Sequence, residues 1–347
     1  RVETGEPYVM FKDTVQAALP QFQKDLGLQV HHSNLCSEIT LATTSERTAV
    51  CCLSSVNLEE YDEWKDNDQF IPDLVRMLDN VLDYFIENAP DELYRAKLSA
   101  ERERSIGLGA MGFHAYLQRH NIPFESVLAK GANNRMFTRI KAEAVRATKE
   151  LAVERGECPD GVGSGVRNAH LLAVAPNASS SIICGNTSPS IEPYRANAFT
   201  QKTKSGSSLL KNEYLEHALD EIDQNTDEVW KSIITNGGSC QHLDFLDDYT
   251  KEVFKTAVEI DQRWIIELAG DRQKHICQSQ SLNIFFPADV AKQELHAIHM
   301  MAWKQGVKTL YYLRSEAMKR AETVSDEALR AYMFDSIDEN ACLACEG

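Results

Sequence analysis

A chain of 347 residues, 43% of them apolar and 25% charged, has material for one large domain or two smaller ones and for a substantial buried core. Its 36 Lys and Arg against 52 Asp and Glu leave a formal net charge of -16, which excludes nonspecific nucleic-acid binding through a broad basic face. No apolar run is long enough for a membrane-spanning helix, and the nine cysteines, odd in number and scattered through apolar runs, do not read as a secreted disulfide framework.

Residues 1–34 are expected to be mostly irregular, with a short apolar run at Tyr8-Val9-Met10-Phe11. The chain opens on Arg1 with neither an initiator methionine nor a helix cap. It is therefore expected to enter the middle of a fold, as a truncated product or as one part of a split gene. Residues 48–53 are a short β-favouring run. Ile71, Leu74, Val75, Leu78, Val81, Leu82 and Phe85 recur at helical spacing, with Pro72 suited to the first turn. Residues 105–120 predict a second helix, whose small Gly107, Gly109, Ala110 and Gly112 would permit close packing. Phe137, Ile140, Ala144, Thr148 and Leu151 predict a third, ended by Gly156. Residues 171–175 predict a strand stopped by Pro176, and Val253, Ala257, Ile260 and Trp264 a helix stopped near Gly270. Residues 281–286 are strand-like, Asp289 can cap a helix running to Gln305 with Gly306 at its C′ position, and residues 307–313 follow as a strand. Helices alternating with short buried strands argue for an α/β fold with a largely parallel sheet, and periodicity leaves an open sheet and a barrel equally available. The sequence turns acidic and polar from Ser325, so residues 335–347 are expected to form a mobile tail beside a 1–334 domain.

Several short patterns carry chemistry. Asn34, Cys36 and Glu38 alternate, and in an extended segment they would project from one face about 6–7 Å apart. An amide that holds a hydroxyl, a thiol that exchanges hydrogen and a carboxylate that takes a proton suit work on a polyol. Cys51 and Cys52 read on their own as two small buried residues of a strand. Asn177-Ala178-Ser179-Ser180-Ser181 follows a predicted strand and could open a helix, where backbone amides, hydroxyls and the helix dipole would cradle phosphate. Tyr311 and Tyr312 read as one core and one half-exposed aromatic. Cys342-Leu-Ala-Cys345 is either half of a zinc site, with no second pair at ligand spacing, or an exposed dithiol suited to disulfide exchange. Cys158, Cys184, Cys240 and Cys277 are expected to be buried, reduced thiols.

The run Ser33-Asn34-Leu35-Cys36-Ser37-Glu38-Ile39 resembles the active-site loop of the large subunit of class Ia (aerobic) ribonucleoside-diphosphate reductase. Ala49-Val50-Cys51-Cys52-Leu53-Ser54, Gly185-Asn186-Thr187-Ser188-Pro189-Ser190-Ile191-Glu192-Pro193-Tyr194 and Lys308-Thr309-Leu310-Tyr311-Tyr312 resemble later segments, so the likeness runs along essentially the whole chain. It implies the carboxy-terminal part of a ten-stranded α/β barrel with a finger loop, incomplete without the amino-terminal portion. It implies that Cys36 becomes a thiyl radical that abstracts the 3′ hydrogen of the ribose. Glu38 would be the base on the 3′ hydroxyl, and Asn34 would bind substrate hydroxyls.

By the same resemblance Cys51 is a reductant, and its partner cysteine lies upstream of anything in residues 1–35. Cys342 and Cys345 would recharge it, themselves reduced by thioredoxin or glutaredoxin. Tyr311 and Tyr312 would relay oxidising equivalents from a small subunit carrying a di-iron or other di-metal tyrosyl radical, with no cofactor bound directly to this chain. Residues Asn177, Ala178, Ser179, Ser180 and Ser181 would hold the substrate diphosphate. The family's large subunit is roughly twice as long, so the expected partners also include a separate amino-terminal large-subunit fragment, as from a split phage-type gene. The expected location is the cytoplasm, the host's if the gene is viral. The rival readings are an inactive reductase fragment serving as a binding or regulatory module, a glycyl-radical enzyme, and a zinc or disulfide scaffold.

Overall fold

The computed structural model describes residues 1–203 and 206–315. Its strands are β1 (Val9–Met10), β2 (Cys52–Asn57), β3 (Ile106–Met111), β4 (Ala198–Thr203), β5 (Gly206–Lys211), β6 (Ile284–Phe286), β7 (Thr309–Leu310) and β8 (Leu313–Ser315). β2 and β3 run parallel, with Cys52 beside Ile106 and Asn57 beside Met111. Leu108 then bridges in parallel to Leu172, and Val174 to Gln280. β6 continues the chain after Gln280 and pairs in parallel with β8. The ladder thus steps from β2 through β3 and residues 171–174 to residues 278–286 and β8. Between successive strands lie the helices Phe70–Asn88 and Tyr94–Glu103, then Phe113–Arg119 and Val127–Arg155, then Gln262–Gln273, then Lys292–Lys304. This is a run of parallel crossovers, part of an α/β barrel.

The helices form where the sequence predicts amphipathic periodicity. Phe70–Asn88 buries Ile71, Val75, Leu78 and Leu82 against the core, with Pro72 in its first turn. Burying each such aliphatic side chain stabilises by about 1.5–3 kcal/mol. The Ser126 hydroxyl accepts from the Ala129 N–H and starts a helix that Gly156 ends.

Four expectations are corrected. Residues 105–120 are not one helix but β3, then Gly112, then Phe113–Arg119. All six residues of β3 are buried, which erases the alternation that marks a half-exposed strand. The small residues do permit close packing, between strands: a Cβ on Gly109 would lie 2.5 Å from the Ala173 carbonyl oxygen. The helix predicted around residues 253–264 is two, Asp248–Val253 and Gln262–Gln273, because the Asp261 carboxylate caps the second at the Arg263 N–H. The helix after Asp289 starts at Lys292 behind Ala291, without a side-chain cap. Residues 1–34 carry short helices at Lys12–Ala17 and Gln21–Asp25.

A second, smaller core has no counterpart in the sequence reading. Leu215, Leu219, Trp230, Ile233, Leu243, Leu246, Val253 and Phe254 pack under the antiparallel β4–β5 hairpin. Asn212, Thr226 and Asp247 cap its short helices through their side-chain oxygens.

Candidate active site

Cys36 sits at the tip of a tight turn. The Ser37 N–H donates to the Asn34 carbonyl at 3.2 Å, the Ile39 N–H donates to Asn34 Oδ1 at 3.0 Å, and Ser37 has a φ of 70°. The expectation of an extended segment is therefore corrected: Asn34, Cys36 and Glu38 converge because the loop curls, not because alternate residues share a face. Asn34 is the hinge of the curl, since its side chain satisfies the backbone that the turn leaves open.

The segment leading into β6 and the strand β7 hold this loop. The Ser279 N–H donates to the Glu38 carbonyl at 2.9 Å, and Thr309 Oγ1 donates to the Ser37 carbonyl at 3.0 Å. The Ser281 hydroxyl lies against both the Cys36 carbonyl and Glu38 Oε2, the latter at 2.9 Å. Glu38 is 2% exposed. Burial pushes its carboxyl above the ordinary range, and hydrogen bonds from Asn34, its own backbone and Ser281 pull only partly back. The donors are all neutral, so Glu38 is a buried carboxylate ready to hold a proton.

Tyr311 donates its hydroxyl to Cys36 Sγ at 3.6 Å. The tyrosine pair follows β7 rather than lying on a strand as expected, and is fixed by the Tyr311 N–H to the Leu282 carbonyl and the Tyr312 N–H to Asn283 Oδ1. Asn283 also donates to Glu192, tying the residues 185–194 to the tyrosines. The Tyr311 and Tyr312 rings are 4.4 Å apart. One is buried and the other half-exposed, as the sequence suggests. Burial, then the Cys36 contact, pushes the Tyr311 phenol up, so it is protonated at neutral pH.

Cys51 lies just ahead of β2, packed with Ile39, Leu41 and Ala173, so it shares a small core with the chain leaving the finger loop. Gln278 Nε2 reaches across to its sulfur at 3.5 Å and to the Ile106 carbonyl at 3.0 Å. Burial raises the Cys51 thiol well above its ordinary value, which keeps it a thiol. Cys52 opens β2 and is raised by burial too. No disulfide joins the described cysteines. Cys342 and Cys345 lie outside the described residues.

Residues 177–181 form a turn that leads into a helix of one turn, Ser180–Ile183. Asn177, with a φ of 54°, accepts from the Ser55 hydroxyl at 3.2 Å and donates to the Ser180 hydroxyl at 3.2 Å. Ser181 bonds back to the Ala178 carbonyl. A cavity of about 380 Å³ opens beside this turn, lined by Ala178, Ser181, Asn186, Thr187, Tyr194 and Arg195 among others. Arg195 contributes a cationic side chain to its otherwise largely apolar lining.

Cys158 and Cys240 are buried as expected, whereas Cys184 is exposed at the end of its short helix, a correction. Cys277 also departs from an inert thiol. Burial alone would raise it, but His170 and the charge of Lys141 bring it well below its ordinary value, with the Leu171 and Leu172 N–H groups donating to its sulfur.

Ser281, Thr309, Gln278, Tyr8 and Arg195 are given no site role by the sequence reading. One signal was available: Gln278, Ser279, Gln280 and Ser281 are four consecutive polar residues, all fully buried, entering an apolar strand. Buried polar groups need partners, and here Gln278 finds Cys51, Ser279 and Ser281 find the loop that carries Cys36 and Glu38, and Gln280 finds Arg272 and Gln273.

Residues 1–161 and 160–313 match the family described as ribonucleotide reductase, barrel domain. The ribonucleoside-diphosphate reductase large subunit of Invertebrate iridescent virus 3 is 49% identical over 350 residues, covering 100% of this chain and 55% of the relative. A putative large subunit from Frog virus 3 (isolate Goorha) is 49% identical over 350 residues, covering 100% and 61%. Among solved structures, the Actinobacillus ureae class Id ribonucleotide reductase alpha subunit superposes with a TM-score of 0.85 at 42% identity, covering 90% of this chain and 59% of that one. The chain spans little more than half the length of these relatives.

Proposed function

The chain belongs to the ribonucleotide reductase barrel-domain family, and on that premise we propose that it supplies the radical-bearing half of a site that reduces ribonucleoside diphosphates to 2′-deoxyribonucleoside diphosphates. The observation that carries the reading is the Tyr311 hydroxyl set 3.6 Å from Cys36 Sγ, with Glu38 on the same turn. An oxidising equivalent arriving at Tyr312 passes to Tyr311 and then to Cys36, whose thiyl radical takes the 3′ hydrogen of the ribose. Glu38 accepts the 3′ hydroxyl proton, which its neutral surroundings suit it to do, and the 2′ hydroxyl leaves as water. Asn34 binds substrate hydroxyls, and residues 177–181 with the adjoining recess take the diphosphate. Cys51 supplies one reducing thiol.

The second reducing thiol belongs to the amino-terminal portion of the large subunit, in keeping with the share of its relatives that this chain spans. A small subunit with a di-metal tyrosyl radical starts the relay, and Cys342 and Cys345, served by thioredoxin or glutaredoxin, return Cys51 to its thiol. No helix among the described residues is long and apolar enough to cross a membrane. The test is diphosphate reduction by the complete large subunit with its small subunit and a dithiol. Cys36→Ser should fold normally and make no deoxynucleotide. Full turnover by that variant would sink the proposal, and an inert wild-type assembly would favour a binding or regulatory module instead.

A further inference from the structure

We infer that Cys277 is a second reactive thiol, one that forms mixed disulfides with small anionic disulfides admitted through the lysine-lined cavity at its side. This modification site is separate from the chemistry assigned to Cys36 and Cys51.

Cys277 lies in the segment leading into β6, against residues 171–174. Its sulfur accepts from the Leu171 N–H at 3.1 Å and from the Leu172 N–H at 3.2 Å. The Leu172 carbonyl, at 3.5 Å, is the acceptor for the neutral thiol. Two N–H groups converging on one sulfur favour its anion. Lys308 is the buried cation of this segment, 3% exposed. Its Nζ donates to the carbonyls of Ile276 at 3.3 Å, Cys277, and Gln278 at 2.7 Å. None of these acceptors is charged, and a buried ammonium held by carbonyls alone favours an anion nearby. His170 is 1% exposed, with Nε2 on Gln23 Oε1 at 3.0 Å and Nδ1 without a hydrogen-bond partner among the described residues. Burial works against a Cys277 anion, but His170 first and Lys141 next bring the thiol well below its ordinary value.

A cavity of about 300 Å³ opens at the same place, lined by Cys277 with Lys141, Lys274, His275 and Lys308. Asp271 pairs with Lys274 at 3.1 Å but does not line the cavity, and no described carboxylate does. On a chain of net charge -16 this is a local excess of positive charge, which draws in small anions. The Cys277 thiolate attacks one sulfur of such a disulfide. A new S–S bond forms at Cys277 as the old one breaks, and the departing sulfur leaves as a thiolate that takes a proton from water. Cys277 is oxidised and the departing sulfur reduced. The adjoining Gln278 donates to Cys51 Sγ at 3.5 Å, so the attached group sits one residue from a support of Cys51.

The experiment treats the complete large subunit, freed of dithiol, with oxidised glutathione, which is anionic, and in parallel with cystamine, which is cationic. Mass mapping of the cysteine peptides reads the rate at each site. Cys277 should react roughly ten-fold or more faster with oxidised glutathione than with cystamine. It should also outpace the exposed Cys184 toward oxidised glutathione. Lys141→Gln removes one cavity charge from a partly exposed position and should reduce the Cys277 preference several-fold without altering the Cys184 rates. An unmodified Cys277 beside a modified Cys184 would overturn the inference. Equal rates at Cys277 with the two disulfides would do the same, as would an unchanged preference in Lys141→Gln.

Discussion

Glu38 and Asp79 are both buried carboxylates, 2% and 0% exposed, yet they are built for opposite ends. Asp79 on the helix Phe70–Asn88 is ringed by three arginines: Arg104 at 2.8 Å, Arg155 at 3.0 Å and Arg167 at 3.4 Å. Burial works against its charge, but Arg104 first and Arg167 next hold its carboxyl below the usual range. Glu38 has comparable burial and only neutral donors, so its carboxyl is held above that range. The sign of the shift follows the charge of the donors, not their number. A carboxylate saturated by cations is a structural anion, and one saturated by amides and hydroxyls is a base in waiting.

That contrast predicts separable failures. Glu38→Gln should cost about 10²–10⁴ in kcat, the range of a lost general base, while thermal unfolding is unchanged or slightly raised. A variant with near wild-type kcat would remove Glu38 from the chemistry. Asp79→Asn should do the reverse: it removes the buried counter-ion of Arg104, Arg155 and Arg167 and leaves them only the half-exposed Asp83, costing up to about 3–5 kcal/mol in denaturant unfolding with kcat per folded molecule preserved. If Asp79→Asn is as stable as the wild type, the arginine ring is not structural.

The pH responses should also oppose each other. Asp79 has a folded pKa below its unfolded value, so its contribution to stability is present above the unfolded pKa and lost as pH falls through the folded one. Glu38 has a folded pKa above its unfolded value, so it lowers stability as pH rises through that interval, and turnover should rise over the same acid limb. Parallel slopes, measured by unfolding at stepped pH on wild type, Asp79→Asn and Glu38→Gln, would erase the distinction. The smallest effect is expected from Ser281→Ala. It removes a donor to the Glu38 anion and should move the acid limb of turnover upward by at most about one pH unit. A downward movement would mean that Ser281 does not stabilise the ionised form.

How much of this is legible in the sequence depends on the distance over which each feature is made. The helix Phe70–Asn88 and its Pro72 are read from local periodicity, and Gly156 from its place at a helix end. β3 is not, because a strand buried on both faces shows no alternation and its glycines mimic a helix-packing face. Asn34, Cys36 and Glu38 are identified by residue type and resemblance, but their convergence comes from a turn that only the Ser37 backbone reveals. Ser281 stands 243 residues from Glu38, and Tyr311 stands 275 from Cys36, so their contacts follow from the wrapping of parallel strands. Arg104 and Asp79 meet through tertiary packing as well, which is why a structural anion and a base look alike in the sequence.

The most direct test of the account is the fate of a 3′-deuterated ribonucleoside diphosphate in the complete reductase, wild type against Cys36→Ser. The account predicts a primary isotope effect on wild-type turnover and no deoxynucleotide from Cys36→Ser. Deoxynucleotide formed at a comparable rate by Cys36→Ser, with or without an isotope effect, would contradict it.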